Sequence, residues 1–261
     1  MRSTAVRRAA LAASAATLVL LATACGGSSD DGDKGGDKGA AGATASAEPA
    51  AAEALSAAEL EKAALTEKDV DNGRVDKITG ADDIKKGQVK AEDAACTPLA
   101  LVQTSAAQGD PAATVKRMWT EEGKKASESD AMSEEAMLES LDLDKVFVTL
   151  ASYEDGGAET VLEDTRTAVE KCAGGFTFTA AGEKAETLKV VSTKAPEGAD
   201  EAVAMTLTIK GDGSDTWLMK AVVARKGATV ASFSVLNLAA AASGKDFEFP
   251  THIVDTQLGK L

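Results

Sequence analysis

The sequence predicts an α+β fold, an antiparallel β-sheet with helices packed on one side. Three observations predict it. Val203, Met205, Leu207 and Ile209 alternate strictly with Ala204, Thr206, Thr208 and Lys210. That two-residue period belongs to a strand with one face in a core and the other toward solvent or another layer. Gly157 to Cys172 repeats its apolar residues at three- and four-residue spacing, as an amphipathic helix does. Turn residues at Pro196-Glu197-Gly198, Gly211-Asp212-Gly213-Ser214 and Lys226-Gly227 separate neighbouring strand candidates and make the C-terminal half a meander.

The elements follow in chain order. Ser56-Ala57-Ala58-Glu59 is a capping box, with Ser56 accepting a backbone N–H and Glu59 reaching back, so a helix starts there and runs through Leu60 and Leu65. Thr66-Glu67-Lys68-Asp69 repeats the signal more weakly and leads to a turn at Asn72-Gly73. Lys77 to Lys90 reads as short strands and loops. Val115, Arg117 and Trp119 alternate in a strand after Asp110-Pro111, Glu121 to Asp130 is a polar loop, and Ser133 to Leu138 starts a short helix. Lys145 to Tyr153 is a buried strand. In the helix that follows, Ala158, Val161, Leu162, Thr165, Val169 and Cys172 share the inner face. Glu159, Glu163, Asp164 and Glu170 occupy the rest, and Gly174-Gly175 end it. Phe176 to Thr179 and the β-branched run Thr187 to Thr193 continue the sheet, and Trp217 to Arg225 and Ala228 to Leu238 are its last two strands. Asp246 to Leu261 holds an amphipathic closing helix begun near Pro250-Thr251.

Composition narrows the function. With 42 acidic against 28 basic residues among 261, the formal net charge is −14, and a nucleic-acid backbone is not the expected partner. One histidine, His252, and 3% aromatic residues leave little from which to build a multi-histidine metal site or a cofactor box, so no cofactor or metal is expected.

The chain opens like an export signal. Arg2, Arg7 and Arg8 form a positive n-region, Ala9 to Leu21 an apolar h-region, and Ala22-Thr23-Ala24 a small-residue close directly before Cys25. The pattern resembles bacterial lipoprotein signals of the general secretory route, whose lipobox ends in small residues and a Cys. It departs where Ala22 stands in place of the commoner Leu. The resemblance implies cleavage after Ala24, diacylation of the Cys25 thiol, and anchorage to the lipid bilayer on the extracytoplasmic face of the cell membrane. An ordinary cleaved signal with an incidental Cys is the alternative. Residues 1–24 are thus the expected signal peptide and 25–54 the expected lipidated Cys and disordered tether. Gly26 to Ala54 is rich in Gly, Ala and Asp, buries too little apolar surface to order itself, and has a reach of about 30 Å. Asp30-Asp31-Gly32-Asp33 lacks the remaining ligand positions of a calcium loop and reads as a solvated charge run. Residues 55–261 are the expected single domain.

Two cysteines remain, Cys96 and Cys172. Outside the cytoplasm such a pair is most simply a structural disulfide, and no Cys-x-x-Cys motif favours the redox alternative.

Several features together resemble a family. They are Cys96-Thr97-Pro98-Leu99, the helix ending Ala168-Val169-Glu170-Lys171-Cys172, the strands after it, and Val222 to Val230 ahead of a terminal helix. They look like the extracellular sensor domains of actinobacterial PknH-type Ser/Thr kinases and the stand-alone lipoproteins related to them, over roughly residues 55–261. The resemblance rests on pattern and order. It implies an antiparallel sheet, a surface cleft and a role in binding a ligand outside the cell. This chain has one candidate disulfide where the kinase sensors have two, and neither a kinase domain nor a spanning helix is read in it.

No Gly-x-Ser-x-Gly elbow, phosphate loop, Gly-x-Gly-x-x-Gly or His-Glu-x-x-His is present, so an enzyme is not expected. His252 has Asp255 as its nearest sequence-local carboxylate and reads as a surface or capping residue. Asp142 and Asp144 lie on one side of an extended chain and read as a solvated acidic face. The expected function is a non-enzymatic, membrane-anchored ligand-binding or sensor-like module for an envelope ligand or protein not identified by sequence. The alternative is a carrier of a lipid or other hydrophobic ligand, with Phe147, Phe176, Phe178, Met205, Trp217 and Phe233 lining a pocket; a packed core is the default for these residues.

Overall fold

A computed structural model describes residues 52–123 and 133–261. The expected signal peptide, Cys25 and nearly all of the expected tether therefore lie outside the described residues, as does most of the polar loop expected at Glu121 to Asp130. Nine strands form one sheet: β1 (Arg74–Lys77), β2 (Val89–Ala91), β3 (Ala113–Thr120), β4 (Asp144–Ser152), β5 (Phe176–Ala180), β6 (Glu183–Thr193), β7 (Glu201–Lys210), β8 (Thr216–Lys226) and β9 (Thr229–Asn237). Their order is β1-β3-β4-β9-β8-β7-β6-β5-β2, and every neighbouring pair is antiparallel. The expected meander is the unbroken run from β5 to β9. The helices are α1 (Ala57–Ala63), α2 (Thr97–Gln103), α3 (Glu134–Ser140), α4 (Gly157–Lys171), α5 (Leu238–Ser243) and α6 (Thr251–Leu258). None of the described helices is long and apolar enough to cross a membrane.

Local chemistry explains most boundaries. Ser56 and Glu59 form the capping box of α1, and Thr66 and Asp69 close a 3₁₀ turn in the same way. Asn237 ends β9 and caps α5, its Oδ1 accepting from the Ala240 N–H at 2.9 Å. The six residues expected on the inner face of α4 are all buried. Gly175, at φ +97°, lets the chain turn from α4 into β5 where a Cβ would stand 2.4 Å from the Thr187 carbonyl.

The α+β class holds, and one detail of the layering is corrected. Helices on one side describes α2 and α4, which pack on Val203, Met205, Leu207 and Ile209 of β7 and on their neighbours Met219, Ala221 and Val223 of β8. The other face is roofed as well. Leu60 of α1 and Ile253, Val254 and Leu258 of α6 bury Trp119, Val146, Val148, Leu150, Phe233 and Val235. One-face alternation along a strand does not distinguish a solvated second face from a second apolar layer, because Ala and Thr suit both.

Helix α2 is the element that sequence reading missed. Leu99, Ala100, Leu101 and Val102 are consecutive and all buried, so the segment has no polar stripe and no helical period to read. It packs on the sheet beside α4. Buried strand hydroxyls hold its C-terminal end, where backbone carbonyls have no partner within the helix. Ser234 Oγ donates to the Val102 carbonyl at 2.6 Å, and Thr149 Oγ1 to the Ser105 carbonyl just beyond at 2.8 Å.

Two long-range ties close the layers. Cys96, just ahead of α2, is disulfide-bonded to Cys172 at the end of α4, with the Cα atoms 5.9 Å apart. Gln257 of α6, fully buried, accepts from the Leu65 N–H at 2.9 Å and donates to the Ala63 carbonyl at 2.8 Å, fastening the end of α1 to α6.

Reducing the disulfide frees a loop spanning 76 residues, and the chain-entropy relation puts the loss of stability at about 4–5 kcal/mol. A urea melt with and without reductant should show that drop, and intact mass should rise by two hydrogens; an unchanged mass means free thiols. Gln257→Ala strands a buried N–H and a buried carbonyl and should cost about 2–4 kcal/mol, read from the shift in urea midpoint. A shift below a few tenths of a kcal/mol would mean that α1 and α6 are not coupled through this side chain.

Candidate functional site

Clefts on the described surface include three with distinct linings. The first, about 520 Å³, lies on the α6 side of the sheet. Its floor is Ala204 of β7 and Val222 of β8, and Pro196 and Phe249 wall it. Thr193, Lys194, Thr251 and Asp255 supply the polar rim. Lys220 is held at its edge by the strap of chain between α5 and α6. Its ammonium pairs with Asp246 at 2.9 Å, donates to the Phe247 carbonyl and lies 4.9 Å from the Phe247 ring centroid. The Lys220 hydrogen bond, followed by the Phe247 backbone N–H, keeps the Asp246 carboxyl below the usual range. The cleft lies beside α6, whose Ile253, Val254 and Leu258 join Ala204 and Val222 in the core on this face while Thr251 and Asp255 line the cleft.

The second cleft, about 380 Å³, sits beside the disulfide between the start of α2 and α4, lined by Pro98, Leu101, Gln108, Val161, Asp164 and Lys171 among others. Gln108 is buried: its carbonyl accepts from the Tyr153 hydroxyl at 2.8 Å and its Oε1 from Thr165 Oγ1 at 3.1 Å. Burial, and then the nearby Asp110 carboxylate, push the Tyr153 hydroxyl pKa upward, so that hydroxyl remains a donor.

The third cleft, about 710 Å³, is acidic, with Glu121, Glu139, Asp142, Asp144, Asp246 and Glu248 among its lining residues. Asp142 and Asp144 meet here. Asn237 Nδ2 donates to both, at 2.9 and 3.0 Å, and Glu121 Oε2 accepts from the Asp144 N–H at 3.2 Å. The solvated face expected for the pair fits Asp142, which is exposed in the turn before β4, but not Asp144, which is half-buried. Burial, with the nearby charges of Glu121 and Asp142, raises the Asp144 carboxyl above the ordinary aspartate value against the pull of the Asn237 hydrogen bond. Among the described residues, no group of three or more His, Cys, Asp or Glu side chains is placed to hold a metal ion.

The remaining sequence candidates separate. His252 is exposed at the second position of α6, its ring edge-on to Trp119 at 5.4 Å. Trp119 is itself buried and donates from Nε1 to the Asn72 carbonyl at 2.8 Å, so this histidine belongs to a packing contact. The six residues offered as a carrier pocket lie on opposite faces of the sheet. Phe233 is in the core under α1 and α6, whereas Phe176, Phe178 and Met205 are in the core under α2 and α4, with Trp217 packed against it. Phe147 also points to that side, through its pairing with Ser234. No single cleft collects them. Of the residues that line the first cleft, Met205 was among the carrier candidates, but its floor, Ala204 and Val222, is two ordinary apolar strand positions with no sequence signal.

The chain matches no protein-family model and no curated protein sequence. Among solved structures, the extracellular domain of PknH from Mycobacterium tuberculosis is similar over 80% of this chain and 95% of that one, with a TM-score of 0.47 and 11% identity. A likeness this distant assigns no residue a role.

The Asp144 environment predicts a pH effect of definite sign. A carboxyl with a raised folded-state pKa binds its proton more tightly in the folded chain, so stability falls as pH rises from the ordinary value of 3.8 through the raised one. Asp144→Asn removes that loss. The variant should melt higher than the parent at pH 7 and lose the advantage below the ordinary aspartate value. Equal melting temperatures at both ends of that range would count against a strained carboxyl.

Proposed function

We propose that this chain is an exported lipoprotein, cleaved after Ala24, acylated on Cys25 and held on the extracytoplasmic face of the cell membrane, where its domain acts as a non-enzymatic ligand-binding module. Residues 25–54 are the tether and 55–261 the binding domain. The observation that carries the reading is the Cys96–Cys172 disulfide, buried in the core of a domain that follows a lipobox. Disulfides of this kind persist in oxidising compartments and are rare in the cytosol, so export and the bond support one another.

Within the domain, the cleft over β7 and β8 is the proposed ligand site. Its apolar floor and wall offer burial, while Thr193, Lys194, Thr251 and Asp255 offer orienting groups at the rim, the usual division of labour in a small-molecule site. Lys194 suits a ligand with an anionic or strongly polar end, and a cleft of about 520 Å³ suits one of moderate size. The acidic third cleft disfavours such a ligand by charge.

Native mass spectrometry of the full-length protein extracted from its host membrane tests both parts together. The expected polypeptide begins at Cys25, carries the mass of the acyl groups, and releases a bound molecule on denaturation. The exposed-rim substitution Thr193→Trp should remove the released molecule while leaving the melting temperature within a few degrees. A mass lacking acyl groups would sink the anchor, and a chain with nothing bound, in parent and variant alike, would sink the cleft.

A further inference from the structure

On the α6 side of the sheet the buried core runs from β1 to Ala204 of β7. Beyond it, on β6, β5, β2 and the far half of β7, the strands are open on this side. The pairing register places Lys90, Lys184, Lys189 and Lys210 on that open face, all exposed. Two glutamates share it: Glu92 pairs with Lys184 at 3.0 Å, and Glu186 with Lys210 at 2.8 Å. Lys90 and Lys189 have no carboxylate partner among the described residues. The face is therefore net basic on a chain of formal charge −14. Beside Lys189, at a break in the β6–β7 register, Leu188 is 38% exposed, and Val191 one turn of the pleat further on is 42% exposed.

We propose that this open sheet face docks on the anionic headgroup surface of the bilayer. Charge complementarity selects the sign of the partner. Two bare lysines and two partly neutralised ones meet an anionic surface, and at physiological ionic strength exposed charges act over only about 8 Å. The exposed Leu188 and Val191 select a membrane over a soluble polyanion. A headgroup boundary takes up apolar side chains set among lysines, whereas a hydrophilic polymer offers them nothing. The first cleft opens at the border of the face through Thr193. Docking rests on the lipoprotein reading only in that the anchor would keep the domain near the bilayer.

The test uses the full-length mature protein in vesicles of phosphatidylcholine alone or mixed with phosphatidylglycerol, with an amine-reactive reagent read residue by residue. Labelling of Lys90 and Lys189 should fall about fivefold or more on the anionic vesicles, on the usual strength of a lysine near such a surface, and recover in high salt. Exposed Lys68, outside the face, should be unchanged. In the double variant Lys90→Glu, Lys189→Glu, the labelling of Lys184 and Lys210 should be the same on both vesicle types, and Val191→Ser should weaken protection in the parent background. Equal labelling of the parent on both vesicles overturns the proposal. So does protection by soluble polyphosphate without protection by anionic vesicles, which would assign the face to an anionic polymer. Retention on neutral vesicles reports the anchor separately, so the two readings fail independently.

Discussion

Burial of the central strands on both faces is the constraint on which the rest of the structure depends. From Val148 to Ser152 in β4, and from Ala221 to Ala224 in β8, every residue is buried. Such strands cannot stand as one wall of a two-layer protein; each face needs its own cover. On one side α2 and α4 provide it, joined by the disulfide. On the other, α1 and α6 provide it, joined by Gln257. The two ties do the same work by different means, since each fastens a helix to a partner distant in sequence and neither helix is long enough to be stable alone.

The small residues of the sheet show how the cover is fitted. Ala204, Ala224 and Ala231 stand on the α6 side, where they admit a short helix close to the strands, while Trp119 and Phe233 fill the deeper space toward β3 and β9. Gly73 shows the same economy of space. At φ +106° it allows the turn after the 3₁₀ segment to lie on Trp119, where a Cβ would come within 2.6 Å of the indole nitrogen. Helix α6 is only eight residues long, and the core it joins on this face extends no further than Ala204 of β7, with the cleft and the open lysine face beside it.

Much of the fold was legible because local chemistry and periodicity agreed. The capping box at Ser56, the inner face of α4, the alternation of β7 and the turns between the late strands each carried a signal within a few residues. The disulfide was legible from the residue count and the lack of a Cys-x-x-Cys motif, given the compartment the N-terminal pattern leads one to expect. Helix α2 was not, because four consecutive buried residues have no period, nor was α5, whose start is hidden inside the asparagine that ends β9. The clefts were least legible. Ala204 and Val222 become a cleft floor only through the tertiary packing that brings Thr251, Asp255 and Phe249 beside them, and Asp144 becomes a half-buried carboxyl only because Asn237 is brought to it from 93 residues away.

By itself, the sequence determined the class of the fold, the order of its main strands along the chain and the pairing of its cysteines. Those properties follow from short-range preferences and from residue identity. Tertiary structure alone decided that the second sheet face is roofed, where that roof stops, and which lysines are left together on the open side. Strand alternation fixes which residues share a face, but what covers the face depends on segments almost two hundred residues apart, as the bond from Gln257 to Ala63 shows, and no local pattern encodes that meeting.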